Sequence, residues 1–240
     1  MNLDLDLGNS FLKWRCGASR GRLPLAQLES AELEVPWQGL QPTRVRLASV
    51  TSDQHSAQIA AWVDTRWGLP LEAAQSSASC AGVTNSYADP TRMGVDRWLA
   101  MLAGYHRAAG GCCVVDCGSA ITIDYVAADG RHLGGFILPG MRLMRVGLLG
   151  NTQRIRVEAE LSADTAPGRS TEEGVQHGIH LVMAALAERV VRDCAELLGP
   201  AAPLWVTGGD GELFRGYAGI GTVVPDLVLD GLDFALPEVR

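Results

Sequence analysis

The chain has 240 residues, 47% of them hydrophobic and 20% charged, with 20 basic against 27 acidic side chains and a net charge of −7. So few charges beside so much apolar content argue against a disordered chain. The acidic balance argues against a general binder of nucleic acid or anionic membrane, because no basic excess is available to neutralise phosphates. The length permits one large domain or two small ones. The opening M-N-L-D-L-D is acidic where a secretory leader needs basic residues, and no apolar run reaches the ~20 residues that span a bilayer. Six cysteines (Cys16, Cys80, Cys112, Cys113, Cys117 and Cys194) lack any C-x-x-C pair and read as small buried hydrophobes. His177 and His180 stand one helical turn apart without a third ligand in the sequence, so they read as ordinary helix residues. Of the 20 basic residues a single one, Lys13, is lysine, which codon bias toward arginine explains.

Residues 2–7 alternate polar and apolar, and 11–16 continue after a Gly-Asn-Ser turn, which predicts a β-hairpin. Residues 45–50 form another strand, and Thr51 and Ser52 then cap a helix carrying Ile59, Ala60, Trp62 and Val63. Residues 68–93 hold turn formers and read as an irregular connection. A helix follows over 94–109, with Trp98, Leu99, Leu102 and Tyr105 on one side. Residues 112–116 are an apolar strand ending in an acid, 121–126 its hairpin partner, and a third strand ends at 136–138. The clearest helix spans 171–198, with Val175, Ile179, Val182, Leu186, Val190 and Leu197 near a 3.6-residue period, stopped by Gly199-Pro200. Residues 204–207 form a strand that enters Gly208-Gly209-Asp210-Gly211. The alternation of strands and helices is α/β.

One internal similarity organises these elements. Residues 6–10 read D-L-G-N-S and residues 116–120 read D-C-G-S-A, each between two apolar strands. Two such hairpins nearly half a chain apart suggest a duplicated unit and two lobes, 1–111 and 112–240. A strand ending D-x-G presents a carboxylate, then a glycine around which successive N–H groups can point at one anion. Asp6 and Asp116 could hold Mg²⁺ or a monovalent ion bridging phosphate oxygens. V-T-G-G-D-G-E at 206–212 suits close approach to a nucleotide, and equally a plain strand-to-helix turn. G-V-D-R at 94–97 opens a helix. Asp96 there is either a first-turn acid favoured by the helix dipole, with Arg97 its solvated partner, or a general base beside an anion-binding arginine. The glycines of G-G-F-I-L-P-G at 134–140 suit packing around an apolar strand.

The ordered set D-L-G-N-S-F-L-K, N-S-Y-A-D-P, G-V-D-R-W, D-C-G-S-A-I-T-I-D, G-G-F-I-L-P-G and V-T-G-G-D resembles type III pantothenate kinase. That family belongs to the superfamily of acetate and sugar kinases, the heat-shock chaperone ATPase and actin. The resemblance runs in order from Asp6 to about Asp210. It implies two ribonuclease H-like (actin-like ATPase) lobes with a nucleotide cleft between them. It also implies ATP-dependent phosphorylation of pantothenate to 4'-phosphopantothenate, the first step of coenzyme A biosynthesis. By resemblance, ATP contacts the first hairpin, Asp6, Leu7, Gly8, Asn9, Ser10, Phe11, Leu12 and Lys13, with Asp6 near Mg²⁺. Ser119, where the family usually has threonine, sits at the nucleotide phosphates. Asp96 is the implied general base. Tyr87, Gly94, Val95, Arg97 and Thr171 line the pantothenate site, Thr171 across a homodimer interface. Asp116 corresponds to the ligand of a potassium or ammonium ion, and the implied setting is cytoplasmic.

Three rival readings fit the same residues. A kinase of another alcohol would share the fold, although G-V-D-R favours pantothenate and sugar kinases are usually longer. A non-catalytic actin-like partner or accessory protein would not need Asp6, Asp96 and Asp116 together. A phosphohydrolase would replace the alcohol with water.

Overall fold

The computed structural model describes residues 1–29, 37, 39–150 and 164–238. Contacts divide the chain into two units, Met1–Arg107 with Asp226–Arg240, and Ala108–Pro225.

The first unit begins with the expected hairpin, β1 (Asn2–Leu7) and β2 (Phe11–Cys16), followed by β3 (Ser19–Pro24). A 3₁₀ turn at Leu25–Glu29 leads on to β4 (Arg44–Ser49), α1 (Asp53–Trp67) and β5 (Leu71–Ala73). The strands order as β3-β2-β1-β4-β5, antiparallel on the hairpin side of β1 and parallel on the other. Because side chains alternate along a strand, Leu3, Leu5 and Leu7 share one face of β1 and Asp4 and Asp6 share the other. The leucines join a core with Trp14, Trp37, Val45, Leu47, Ile59 and Val63. Trp14, Trp37, Trp62 and Trp67 meet edge to face in series, with ring centroids 5.8, 6.4 and 5.0 Å apart.

The connection expected to be irregular carries a two-strand hairpin, β6 (Ser79–Cys80) and β7 (Val83–Thr84). The amphipathic stretch expected at 94–109 is α2 (Val95–Ala108), with Trp98, Leu99 and Leu102 fully buried.

The second unit repeats the plan with β8 (Cys112–Cys117), β9 (Ala120–Val126) and β10 (His132–Pro139). Then come α3 (Met141–Gly150), α4 (Thr171–Leu198), β11 (Leu204–Thr207), α5 (Gly211–Ala218) and β12 (Thr222–Val223). The order β10-β9-β8-β11-β12 matches the first sheet strand for strand, with the same pattern of parallel and antiparallel pairs. Cys113, Val115 and Cys117 face the core formed with Met183, Ala187, Val190 and Phe214, which leaves Asp116 on the opposite face. The six cysteines are free thiols, five of them buried, and burial pushes the Cys112 thiol up to about 12.

The sequence reading placed 112–240 in one lobe, but the structure returns the chain's end to the first unit. The helix α6 (Leu227–Ala235) packs against β1 and β4, and its charges explain why. Asp230 accepts from Arg15 and Arg107, and Asp233 pairs with Arg46 at 2.7 Å. Arg46 and Arg15 also hold buried Asp4, at 2.7 and 3.1 Å. Burial works against the Arg46 charge, but its hydrogen bonds to Asp4 and Asp233 hold the guanidinium above its ordinary value. Gly231 lets α6 lie directly on α2, since a Cβ there would sit 2.6 Å from the Leu99 Cβ. Among the described residues, no helix is long and apolar enough to cross a membrane.

Breaking a buried pair on one side leaves an uncompensated charge. Arg46→Met should therefore lower unfolding free energy by about 3–5 kcal/mol. The double change Asp4→Leu/Arg46→Met should recover part of that loss. Urea denaturation of the three proteins measures both effects.

Candidate functional site

In the first unit, β1 carries a carboxylate one residue before its end. Asp6 is buried and stands opposite Lys13 in the β1–β2 register, with Lys13 Nζ 3.9 Å from Asp6 Oδ2. The turn between them is closed by Gly8 N donating to Phe11 O at 3.0 Å, and a Cβ on Gly8 would sit 3.3 Å from that same oxygen. Leu7 and Leu12 point into the core, so only their main chain is available to a ligand. Asn9 is exposed, Ser10 is half-buried, and exposed Phe11 carries the Arg22 guanidinium 5.0 Å from its ring centroid.

The G-V-D-R segment lies at the same end of this sheet. Val50, just past β4, donates from its N to Leu7 O at 3.2 Å, and its Cγ1 is 3.9 Å from where a Gly94 Cβ would be. That same Cβ would sit 2.6 Å from Asp96 Oδ1, so a side chain at residue 94 would displace the carboxylate from this position. Asp96 is half-buried in the first turn of α2, and its Oδ1 accepts from Arg97 N at 2.7 Å. Val95 is buried.

Arg97 is not a solvated partner. It is 5% exposed, donates from Nη1 to Tyr87 Oη at 2.8 Å, and stacks its guanidinium 5.7 Å from the Tyr87 ring centroid. The loop that carries Tyr87 is fixed at several points. Asn85 N donates to Ala78 O, Asn85 Oδ1 accepts from Tyr87 N, and Asp89 Oδ1 accepts from Thr91 N and Oγ1. Ser76 Oγ donates to Met93 O, while His106 reaches Ala81 O and stacks on Phe234 at 4.1 Å. The first unit thus gathers Asp6, Lys13, Gly94, Asp96, Arg97 and Tyr87.

The second unit gathers a matching set. Asp116 is the penultimate residue of β8, and half-buried Ser119 stands in the turn to β9. Ser119 O accepts from Gly140 N at 2.9 Å, and Cys117 O accepts from Asp210 N at 3.0 Å. Gly208 has φ +89°, and a Cβ there would collide with the Cys117 carbonyl and lie 2.5 Å from Asp116 Oδ1. At Gly140 and Gly135 an added Cβ would meet the carbonyls of Gly118 and Ile123, so the glycines of G-G-F-I-L-P-G do serve close packing. The glycine cluster at 206–212 is a strand-to-helix turn and also lies against the second hairpin. The donor set here, a carboxylate among main-chain carbonyls, is hard oxygen and fits a monovalent or alkaline-earth cation. Asp6 beside a tightly turned hairpin equally fits a phosphate-bound Mg²⁺.

Thr171 sits on a different feature. It is exposed, the first residue of α4, whose start is fixed by Ser170 Oγ accepting from Glu173 N and Glu173 Oε2 accepting from Arg169 N. Thr171 lines an apolar groove of about 430 Å³ with Met144, Leu148, Val175, Ile179 and Val182. His177 bonds to Ala166 O, and buried His180 bridges Gln176 and Tyr217, its pKa lowered by burial. Among the described residues no group of three or more His, Cys, Asp or Glu converges as a metal cluster.

Sequence reasoning overlooked Asn85 and Asp210. N-S-Y places an asparagine two residues before Tyr87, the spacing of a side-chain turn. Asp210 follows a glycine pair, and nothing local shows that its N–H meets Cys117 O in the β8–β9 hairpin.

A family model for type III pantothenate kinase matches residues 2–193. Type III pantothenate kinases of Ectopseudomonas mendocina and Pseudomonas aeruginosa are 40% and 42% identical over 246 residues, covering 99% of this chain and 99% of each relative. Among solved structures, a Campylobacter jejuni protein described as a Baf family transcriptional activator matches with TM-score 0.62 at 22% identity. It covers 96% of this chain and 95% of its own. A Sinorhizobium meliloti protein described as a 2-dehydro-3-deoxygalactonokinase matches with TM-score 0.59 at 14% identity, over 100% and 98%. Both likenesses are of fold alone.

Gly208→Ala forces a side chain into a left-handed conformation against the Cys117 carbonyl. It should cost about 1–3 kcal/mol of stability, read as a shift in the urea midpoint.

Proposed function

The chain belongs to the type III pantothenate kinase family, and on that premise we propose how its residues divide the reaction. The enzyme transfers the γ-phosphoryl group of ATP to the hydroxyl of pantothenate, giving 4'-phosphopantothenate and ADP, the first step of coenzyme A biosynthesis.

The observation that carries the residue assignment is the Asp96–Arg97–Tyr87 cluster, a half-buried carboxylate next to a buried, tyrosine-held arginine. Asp96 accepts a hydrogen bond from the pantothenate hydroxyl and orients its oxygen toward the γ-phosphorus. The hydroxyl oxygen bonds to phosphorus as the bond to the β-phosphate oxygen breaks. The proton passes to Asp96 late, because a loose transition state needs alignment and charge compensation more than early deprotonation. Arg97 and Tyr87, with Gly94 and Val95 beside them, hold the rest of pantothenate, the fixed guanidinium meeting its carboxylate. The main chain of Leu7–Leu12, with Asn9, Ser10 and Lys13, cradles ATP phosphates, and Ser119 adds a hydroxyl from the second hairpin. When bound, Mg²⁺ near Asp6 and potassium or ammonium at Asp116 supply the positive charge that phosphoryl transfer requires.

The enzyme works as a cytoplasmic homodimer in this reading. Support comes from the α3–α4 groove and the exposed apolar side chains Phe136, Ile137, Val146, Leu181 and Val182, surface of the kind a partner subunit covers. Thr171 on that groove then reaches the partner's pantothenate.

Asp96→Asn keeps size and shape, so it should abolish ATP-dependent phosphorylation of pantothenate while leaving the melting curve native; retained turnover would refute the general-base role. Replacing potassium by sodium should sharply lower the rate in the parent enzyme, and much less in Asp116→Ala, which starts low. Equal parent rates in the two salts would remove the cation from Asp116.

A further inference from the structure

We propose that Asn85 is a positioning residue for the pantothenate side of the reaction, acting through Tyr87 on Arg97 without touching substrate. The inference rests on the reading that Tyr87 and Arg97 hold pantothenate.

Three observations carry it. Asn85 Oδ1 accepts from Tyr87 N at 3.0 Å, a side-chain turn that sets the direction in which the chain presents the tyrosine. Tyr87 in turn fixes Arg97 twice, by the 2.8 Å bond to its hydroxyl and by the ring beneath the guanidinium. Arg97 N is bonded to Asp96 Oδ1, so the series from Asn85 ends at the carboxylate proposed as base.

A penalty adds to these. Asn85 is 8% exposed, and its Nδ2 is buried with no hydrogen-bond partner among the described residues. A buried donor without a partner costs about 1–3 kcal/mol. The amide nitrogen makes no hydrogen bond among the described residues, so the oxygen is the atom that offsets its cost. That oxygen accepts from the Tyr87 main chain. The main chain of Asn85 is anchored separately, by its N to Ala78 O at 2.9 Å, so the β6–β7 hairpin does not depend on the side chain.

The test is a double-mutant cycle on the full-length enzyme, with KM for pantothenate and for ATP, kcat and melting temperature measured for each protein. Asn85→Ala should raise the pantothenate KM about tenfold or more with the ATP KM unchanged, the signature of lost ground-state positioning. Tyr87→Phe should raise the same constant. If Asn85 acts through Tyr87, the double variant is no worse than the poorer single variant, because the two changes break one series. Asn85→Ser, whose hydroxyl can accept the Tyr87 N–H without adding charge, should recover much of the pantothenate KM, and serves if Asn85→Ala fails to fold. Fully additive effects, equal losses for both substrates, or a Ser variant no better than Ala would overturn the positioning role. If Tyr87→Phe leaves the pantothenate KM untouched, the substrate assignment of Tyr87 fails instead.

Discussion

The buried contact between Asp4 and Arg46 governs the first unit. An ionised carboxylate in the interior is tolerated only when oppositely charged donors satisfy it. Asp4 sits mid-strand in β1, directly opposite Arg46 in the parallel register with β4, and Arg15 reaches it from β2. These two arginines in turn need more negative charge than Asp4 offers, and α6 supplies it in Asp230 and Asp233. The C-terminal helix is therefore drawn across the chain to the face of β1 that does not carry the leucines. With that face covered, Asp6, two residues further along it, is held at the strand's end beside the hairpin turn.

The second unit shows what the same sheet does without this charge. The residue pair in the place of Asp4 and Arg46 is Val114 and Trp205, paired in the same parallel register, and no ion pair forms there. Asp116 is nevertheless held at the end of β8, as Asp6 is at the end of β1. The carboxylate-tipped hairpin thus follows from the strand order, and the charge network from the need to dock α6. The cores differ for a related reason. The second sheet packs against the long helix α4, which precedes β11. Between β3 and β4 the first unit instead has the Leu25–Glu29 turn and, among the other described residues, buried Trp37, which extends the edge-to-face row of tryptophans.

What the sequence made legible was whatever is written in local periodicity. Alternation in L-D-L-D-L and the apolar run C-C-V-V located β1 and β8. A 3.6-residue stripe and the Gly199-Pro200 stop located α4 at Thr171–Leu198. The repeated D-x-G points to duplicated units, and the two sheets do share one order. Long-range pairing was not legible. Nothing in D-L-V-L-D-G-L-D says that its acids meet Arg15, Arg46 and Arg107 more than a hundred residues away. Arg97 could be read as solvated because its burial depends on Tyr87, which stands in a loop whose turns are made by side chains and carry no periodicity.

The site residues combine two constraints that pull in opposite directions. A substrate-binding arginine must be rigid, and Arg97 gains this from burial, the Tyr87 hydroxyl and the ring beneath it. A carboxylate that takes a proton must stay open to the substrate, and Asp96 stays half-buried although it is the adjacent residue. The start of a helix reconciles the two. Successive residues there project about 100° apart, so one side chain can turn inward while its neighbour faces out. Gly94 completes the arrangement by leaving vacant the volume that the Asp96 carboxylate occupies. A phosphoryl transfer with late proton movement asks for such an acceptor, fixed in direction by main-chain contacts and reachable by an alcohol.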